Sequence, residues 1–196
     1  GLIISGQLGG AMMEWHFRAG YMMIGLLLFR MIWGFMGGRW SRFVNFPCTS
    51  GAILHYLRRP KSSPEPLGHN PLGALSVIAM LALLLAQVAS GLGADDEIGS
   101  AGPLTAHLSG SWVEVLTHYH KGIGKPALLG LIGLHLVAIA VHSWRGHPLV
   151  KPMVTGDKLT DDAFAPASQD GRRHRQLAAV VAVICALCVW AVRAKL

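Results

Sequence analysis

The chain has 196 residues, of which 52% are hydrophobic and only 14% charged, and its formal net charge is +7. Soluble domains carry about 25% charged residues, so this composition leaves too little polar surface for a water-soluble fold. A basic excess can indicate nucleic acid as a partner, but here the cations lie between long apolar runs. That placement favours a lipid surface and predicts no nucleic-acid partner.

The apolar segments define the expected fold. Residues 1–6 have the composition of the end of an apolar helix, so we expect a first helix that is cut short here. Four long apolar spans follow, each able to cross about 30 Å of hydrocarbon at about 1.5 Å per residue. They cover residues 15–35, 71–93, 124–144 and 177–192. None alternates with period two, and in lipid only helices and closed barrels satisfy their backbone groups. The sequence therefore predicts an all-α integral membrane helix bundle.

The loops between the spans differ in charge, which predicts the orientation. The loop after the first span and the loop after the third span are rich in Lys and Arg. The loop over residues 94–125 instead carries Asp95, Asp96, Glu97 and Glu114. Because basic loops stay in the cytoplasm, we expect the acidic loop outside, in a multi-pass protein of a bacterial inner membrane.

One histidine lies at the outer end of the first span. His16 is followed four residues later by Gly20, which shares its helix face. A ligand histidine beside a glycine leaves space for a flat macrocycle against the backbone, so His16 is a candidate haem ligand. The alternative is an ordinary histidine in an interfacial aromatic belt.

Three further histidines lie along the third span. His120 and His135 are separated by slightly over four turns, so their side chains differ by roughly 60° in direction and about 22 Å in height. A small helix irregularity would close that angle, and Pro126 is a candidate cause. His118 is roughly 100° off, which favours His120, although a glycine four residues after each does not discriminate. His16 and His120 lie at the same outer level, where imidazoles from two helices can clamp one haem iron.

Several motifs occur together in the first three quarters of the chain. They are WHFRAGY (15–21), FRMIWGF (29–35), GHNPLGA (68–74), GLHL (133–136) and PLVKPMVTG (148–156). In combination they resemble the bacterial di-haem cytochrome b-561 family, which includes the b-type cytochrome subunit of nickel–iron hydrogenases. The resemblance covers about residues 1–156 and implies a di-haem transmembrane domain over that range. We expect residues 157–175 to form a cytoplasmic linker and residues 176–196 an additional C-terminal transmembrane helix.

The resemblance also implies a set of cofactor-binding residues. Two b haems would stack across the bundle, the outer one held by His16 and His120. The inner one would use His135 and a histidine in a His-Trp pair on the first helix, which this chain lacks. The family spacing would put the outer ligand where Lys121 stands, which leaves the choice between His118 and His120 open.

Two arginines lie near the expected haem levels. Arg18 and Arg30 could each pair with a haem propionate, because a guanidinium fork matches a carboxylate. The competing interpretation is an arginine whose charge reaches the membrane interface.

The resulting hypothesis is electron transfer through two b haems between the quinone pool and a periplasmic partner, either a cytochrome c or an enzyme subunit such as hydrogenase. The acidic outer loop could dock that partner by charge complementarity, and an oligomer is compatible with this hypothesis. The alternatives are a plain membrane anchor subunit and a His-lined metal-ion transporter without haem. A transporter predicts Asp or Glu inside the spans, and the four predicted spans contain none.

Overall fold

The computed structural model describes residues 1–58, 68–146, 150–151 and 171–194, and throughout these ranges the regular structure is helical. The helices are α1 (Leu2–Leu8), α2 (Met12–Met36), α3 (Ser50–Arg58), α4 (Pro71–Leu92), α5 (Gly110–His118), α6 (Lys125–Trp144) and α7 (Arg172–Arg193). A π-helical turn, Tyr119–Gly124, joins α5 to α6. The predicted all-α class is confirmed.

Four helical segments are long and apolar enough to cross a membrane, which confirms the four predicted spans. They are Met12–Met36, Pro71–Leu92, Gly110–Trp144 and Arg172–Arg193. The third is longer than predicted because α5, the π-helical turn and α6 form one continuous helix of 35 residues. At 1.5 Å per residue this helix is about 52 Å long, so α5 projects beyond the hydrocarbon on the acidic side.

Apolar side chains lie mainly on the outside of this bundle, whereas in a water-soluble protein they lie mainly inside. Helix α2 packs against α7, α1 and α4, while α4 also packs against the π-helical turn and α6. Few side chains are buried, among them Leu27 and Cys185. Large apolar side chains instead cover the outside, as at Met22 (67% exposed) and Phe35 (71% exposed). Such a surface is stable against lipid and would aggregate in water.

Helix α4 begins at a capped turn within the Gly68-to-Ala74 motif. The side chain of Asn70 accepts a hydrogen bond from the backbone N–H of Gly73 at 2.6 Å, and Pro71 occupies the first helical turn. The Asn cap satisfies a backbone N–H that has no partner within the helix, and the Pro that follows has no N–H that would need one. The turn fixes where α4 starts, and hence the level that its last turns reach.

The C-terminal helix α7 lies along α2. Its Val189 approaches Gly25 of α2, and its buried residues are Val181 and Cys185. Of the predicted linker, residues 157–170 lie outside the described part of the chain.

Candidate functional site

A cavity lies between α1, α2, the end of α4 and the π-helical turn, and it reaches the acidic loop. Its walls are mostly apolar, and two histidines face it, His16 from α2 and His120 from the π-helical turn. Both are half-buried, and they come from segments more than a hundred residues apart. The fold therefore brings together the two histidines that the sequence predicts at the outer level.

The two imidazoles have the separation of a metal-bridged pair. Their ring centroids are 6.1 Å apart and the ring planes are nearly perpendicular, at 86°. A metal–imidazole nitrogen bond is about 2.0–2.1 Å long, so two imidazoles on opposite sides of one metal have centroids about 6.3 Å apart. The observed centroid separation therefore matches that of two imidazoles that bind one metal ion.

Backbone carbonyls orient both rings. Nδ1 of His16 lies 2.9 Å from the carbonyl oxygen of Leu2, and Nδ1 of His120 lies 2.8 Å from that of Gln87. A carbonyl only accepts, so each Nδ1 carries the proton and each Nε2 keeps its lone pair. This is how metal-binding histidines are normally held. Within the described ranges, neither Nε2 has a hydrogen-bond partner.

Glycines let the rings lie against neighbouring backbones. A Cβ at Gly6 of α1 would be 3.0 Å from Cε1 of His16, and one at Gly91 of α4 would be 2.8 Å from Cε1 of His120. Either distance is shorter than ordinary carbon contacts, which begin near 3.5 Å. Both positions therefore accept no side chain without moving an imidazole.

Gln87 holds His120 at two points. Its backbone carbonyl accepts from the imidazole, and its side-chain Nε2 donates to the carbonyl oxygen of His120 at 2.9 Å. Ser90 donates to the same Gln87 carbonyl at 3.0 Å. The Oε1 atom of Gln87 is buried without a hydrogen-bond partner among the described residues. An unsatisfied buried acceptor is costly, which marks Gln87 as a residue kept for positioning rather than for stability alone.

The π-helical turn supplies the helix irregularity that the histidine spacing predicts. Pro126 has no N–H, so the carbonyl of Gly122 loses the partner it would have in an α-helix. The turn accommodates one extra residue. It thereby brings His120 and His135 to within roughly 40° in direction and carries Lys121 onto the rim of the cavity.

Gly20 and Gly124, which lie four residues after His16 and His120, differ in how much space surrounds them. A Cβ at Gly20 would meet no atom within 4 Å, and Gly20 lines the cavity, as expected for a residue that leaves room for a macrocycle. Gly124 is buried, and a Cβ there would collide with Oε1 of Gln87. The space beside Gly124 is therefore filled by protein, so that glycine serves helix packing instead.

The other predicted site residues lie elsewhere. His118 is exposed and does not line the cavity. His135 is half-buried on α6, and no side-chain partner for it occurs in the described ranges. Arg18 forms an ion pair with Glu14 and lies over the ring of Trp15. Arg30 donates to the carbonyl of Ser41 at 3.3 Å and lies over Phe43.

Comparison with known families decides the identity. A family model described as prokaryotic cytochrome b561 matches residues 1–156. The chain belongs to this family. It is accordingly a multi-pass membrane protein of b-type haem electron transfer. Neither the curated proteins nor the solved structures contain a match. In this cytochrome, α7 lies beyond the matched residues.

The cavity of this cytochrome b561 suits a b haem. Two neighbouring imidazoles line it, each with an Nε2 that has no hydrogen-bond partner among the described residues, and Gly20 leaves the wall open. The remaining lining is largely apolar, including Ile24 and Leu84, as a porphyrin face requires. When bound, haem supplies a one-electron iron couple, and the protein sets its potential through ligands, burial and nearby charge.

Sequence reasoning missed the residues that orient the imidazoles. Gln87 is the one carboxamide in the apolar helix α4, and a polar residue at membrane depth is a signal that could have found it. Gly91 follows it by one helical turn, on the same face. Gly6 and the Leu2 carbonyl carry no such signal, because their role depends on how α1 folds back on α2.

Substituting Gly91→Ala is expected to weaken haem binding at this site. The added methyl would force His120 to move, and overpacking of this kind costs about 1–3 kcal/mol, which corresponds to roughly a fivefold to 150-fold loss of affinity. Haem titration of purified protein would measure it. Gly130→Ala is the matched control, since a Cβ at Gly130 meets nothing within 4 Å. Equal affinities of the two variants would contradict the close approach.

Proposed function

We propose that this cytochrome b561 transfers electrons between the quinone pool and a redox partner on the outer side of a bacterial inner membrane. His16 and His120 would be the axial ligands of an outer b haem. The observation that carries the proposal is the facing pair of imidazoles, 6.1 Å apart, each with Nδ1 on a backbone carbonyl. Two bound imidazoles leave the iron without an open position, which suits electron transfer rather than substrate chemistry.

His135 would ligate a second b haem nearer the cytoplasm, giving two haems in residues 1–156. It lies about four turns from His120 along one continuous helix. The π-helical turn brings the two histidines toward the same face, as two haems stacked in one bundle require.

Quinone would enter from the lipid beside one of the haems, and the partner would dock outside. The outer loop supports docking because it carries Asp96, whose carboxylate accepts hydrogen bonds from the backbone N–H groups of Ile98, Ser100 and Gly99; these bonds lower its pKa and keep it ionised. Glu97 and Ile98 are exposed at the tip of this loop. A neutral or basic partner, such as a cytochrome c or an enzyme subunit, fits that charge.

The domain division follows the same proposal. Residues 1–156 would hold both haems, residues 157–175 would be a cytoplasmic linker, and residues 176–196 would add a transmembrane helix against α2. The basic loops on one side and the acidic loop on the other support the inner-membrane orientation.

Spectroscopy of the purified protein tests the haem site. We expect a sharp visible band on reduction, no rapid carbon monoxide binding, and a low-spin ferric EPR signal. Because the ring planes are 86° apart, the two iron orbitals that bond the imidazoles would be nearly equal in energy. The EPR signal should then be strongly anisotropic, with one large g value.

Three results would count against the proposal. A colourless protein would favour a plain anchor or a transporter. A high-spin ferric signal with carbon monoxide binding would mean that one imidazole is not a ligand. A weakly anisotropic low-spin signal would mean that the imidazole planes are parallel, against the geometry of His16 and His120.

A further inference from the structure

Two lysines stand at the rim of the cavity that contains His16 and His120. Lys121 belongs to the π-helical turn, and Lys125 is the first residue of α6. Both line the cavity. Lys121 is exposed and Lys125 half-buried, so each ammonium group can stay hydrated while its stem lies along the apolar wall. No other Lys or Arg lines this cavity in the described part of the chain.

The two lysines are available for an anion. Nζ of Lys121 donates to the backbone carbonyl of Asp95 at 3.2 Å, a neutral acceptor, and Lys125 has no side-chain partner within the described ranges. The neighbouring Asp95 and Asp96 also line the cavity, and each carboxylate accepts hydrogen bonds within its own loop. Oδ1 of Asp95 accepts from the N–H of Glu97, and Oδ1 of Asp96 accepts from three backbone N–H groups.

A b haem has two carboxylates on one edge, and these must leave the hydrocarbon. A charged group inside the bilayer is costly, so the propionate edge of an outer haem would point toward the acidic-loop end of the cavity, where water enters. Nζ of Lys121 lies at that end, beside the Asp95 carbonyl, and Lys125 follows one helical turn deeper, where its side chain can extend back toward the same end. Arg18, which the sequence suggests for this role, is exposed, ion-paired with Glu14 and absent from the lining.

We propose that Lys121 and Lys125 bind the two propionates of the outer haem and hold them ionised. This inference rests on the proposed haem site at His16 and His120. The ammonium groups would stabilise the reduced iron relative to the oxidised iron, because the oxidised centre carries one more positive charge. They would also keep the propionates from taking up protons near neutral pH.

The test is a redox titration of the outer haem across pH in the variant Lys121→Gln/Lys125→Gln. We expect a lower midpoint potential at alkaline pH, by about a tenfold change in the reduction equilibrium, which is about 59 mV for one electron. The difference should shrink as pH falls, because propionates without lysine partners take up protons and their negative charge is lost. The potential of the parent protein should vary less with pH.

Two control variants distinguish direct binding of the propionates from a general effect of positive charge on the potential. Arg193→Gln removes a cation at the same end of the bundle, beside Tyr21, and should shift the potential much less. Lys121→Arg/Lys125→Arg keeps both charges and should restore the parent pH profile. An unchanged potential in the glutamine variant, a shift equal to that of Arg193→Gln, or haem loss in both lysine variants would overturn this inference. A parent protein without haem would instead refute the haem site itself.

Discussion

The variants His16→Ala and His120→Ala are each expected to lose the outer haem, about half of the haem of a two-haem protein. Each removes one of the two imidazoles that face each other across the cavity. A remaining single imidazole leaves one iron position open, which weakens binding and changes the spin state. Haem per polypeptide, measured by the optical spectrum of purified protein, would report the loss.

His118→Ala is the matched control for His120→Ala. The two residues are two positions apart at the same membrane level, but His118 is exposed and does not line the cavity. Its variant should keep the haem content and the EPR signal of the parent. The reverse pattern, with haem lost only from His118→Ala, would move the ligand assignment to that residue.

Much of the membrane architecture could be predicted from the sequence because lipid imposes a simple rule. Every backbone polar group in the hydrocarbon must be satisfied within its own segment, so long apolar runs become helices. The four spans are therefore found where hydropathy puts them. The extension of the third helix back to Gly110 was missed because its residues outside the bilayer have mixed polarity.

The site was predictable at the level of histidines but not of their supports. The positions of His16 and His120 along their helices were enough to predict that both lie at the same membrane level. Their orientation depends on backbone carbonyls of Leu2 and Gln87, which have no signature in the residue type. The difference in direction expected between His120 and His135 predicted a helix irregularity, and the structure has one, the π-helical turn before Pro126.

Arginine placement shows the limit of reasoning from depth alone. Arg18 is at the level of the outer site, yet it pairs with Glu14 one turn earlier on the exposed side of α2. Pairs at this spacing form readily on any helix surface. The propionate roles of Arg18 and Arg30 remain predictions. Lys121 and Lys125, which line the cavity, are better placed than Arg18 to bind the propionates of the outer haem.

Gly20→Leu is expected to lower the haem content of the outer site while leaving the helix bundle intact. Gly20 lines the cavity, and a Cβ at this position meets no protein atom within 4 Å, so the polypeptide alone has room for a larger residue. A leucine side chain would extend into the space where a porphyrin must lie between the two imidazoles. Overpacking against that ligand costs about 1–3 kcal/mol or more, which lowers haem affinity by at least about fivefold.

The measurement is haem content together with helix content by circular dichroism, with Gly130→Leu as the control. Gly130 lies on α6, also in open space, but it does not line the cavity. Both variants should keep the helix content of the parent, and only Gly20→Leu should lose haem. A haem-replete Gly20→Leu protein would place the porphyrin away from this face of α2. In that case the nearly perpendicular imidazoles would be a packing arrangement of two histidines and not a metal-binding pair.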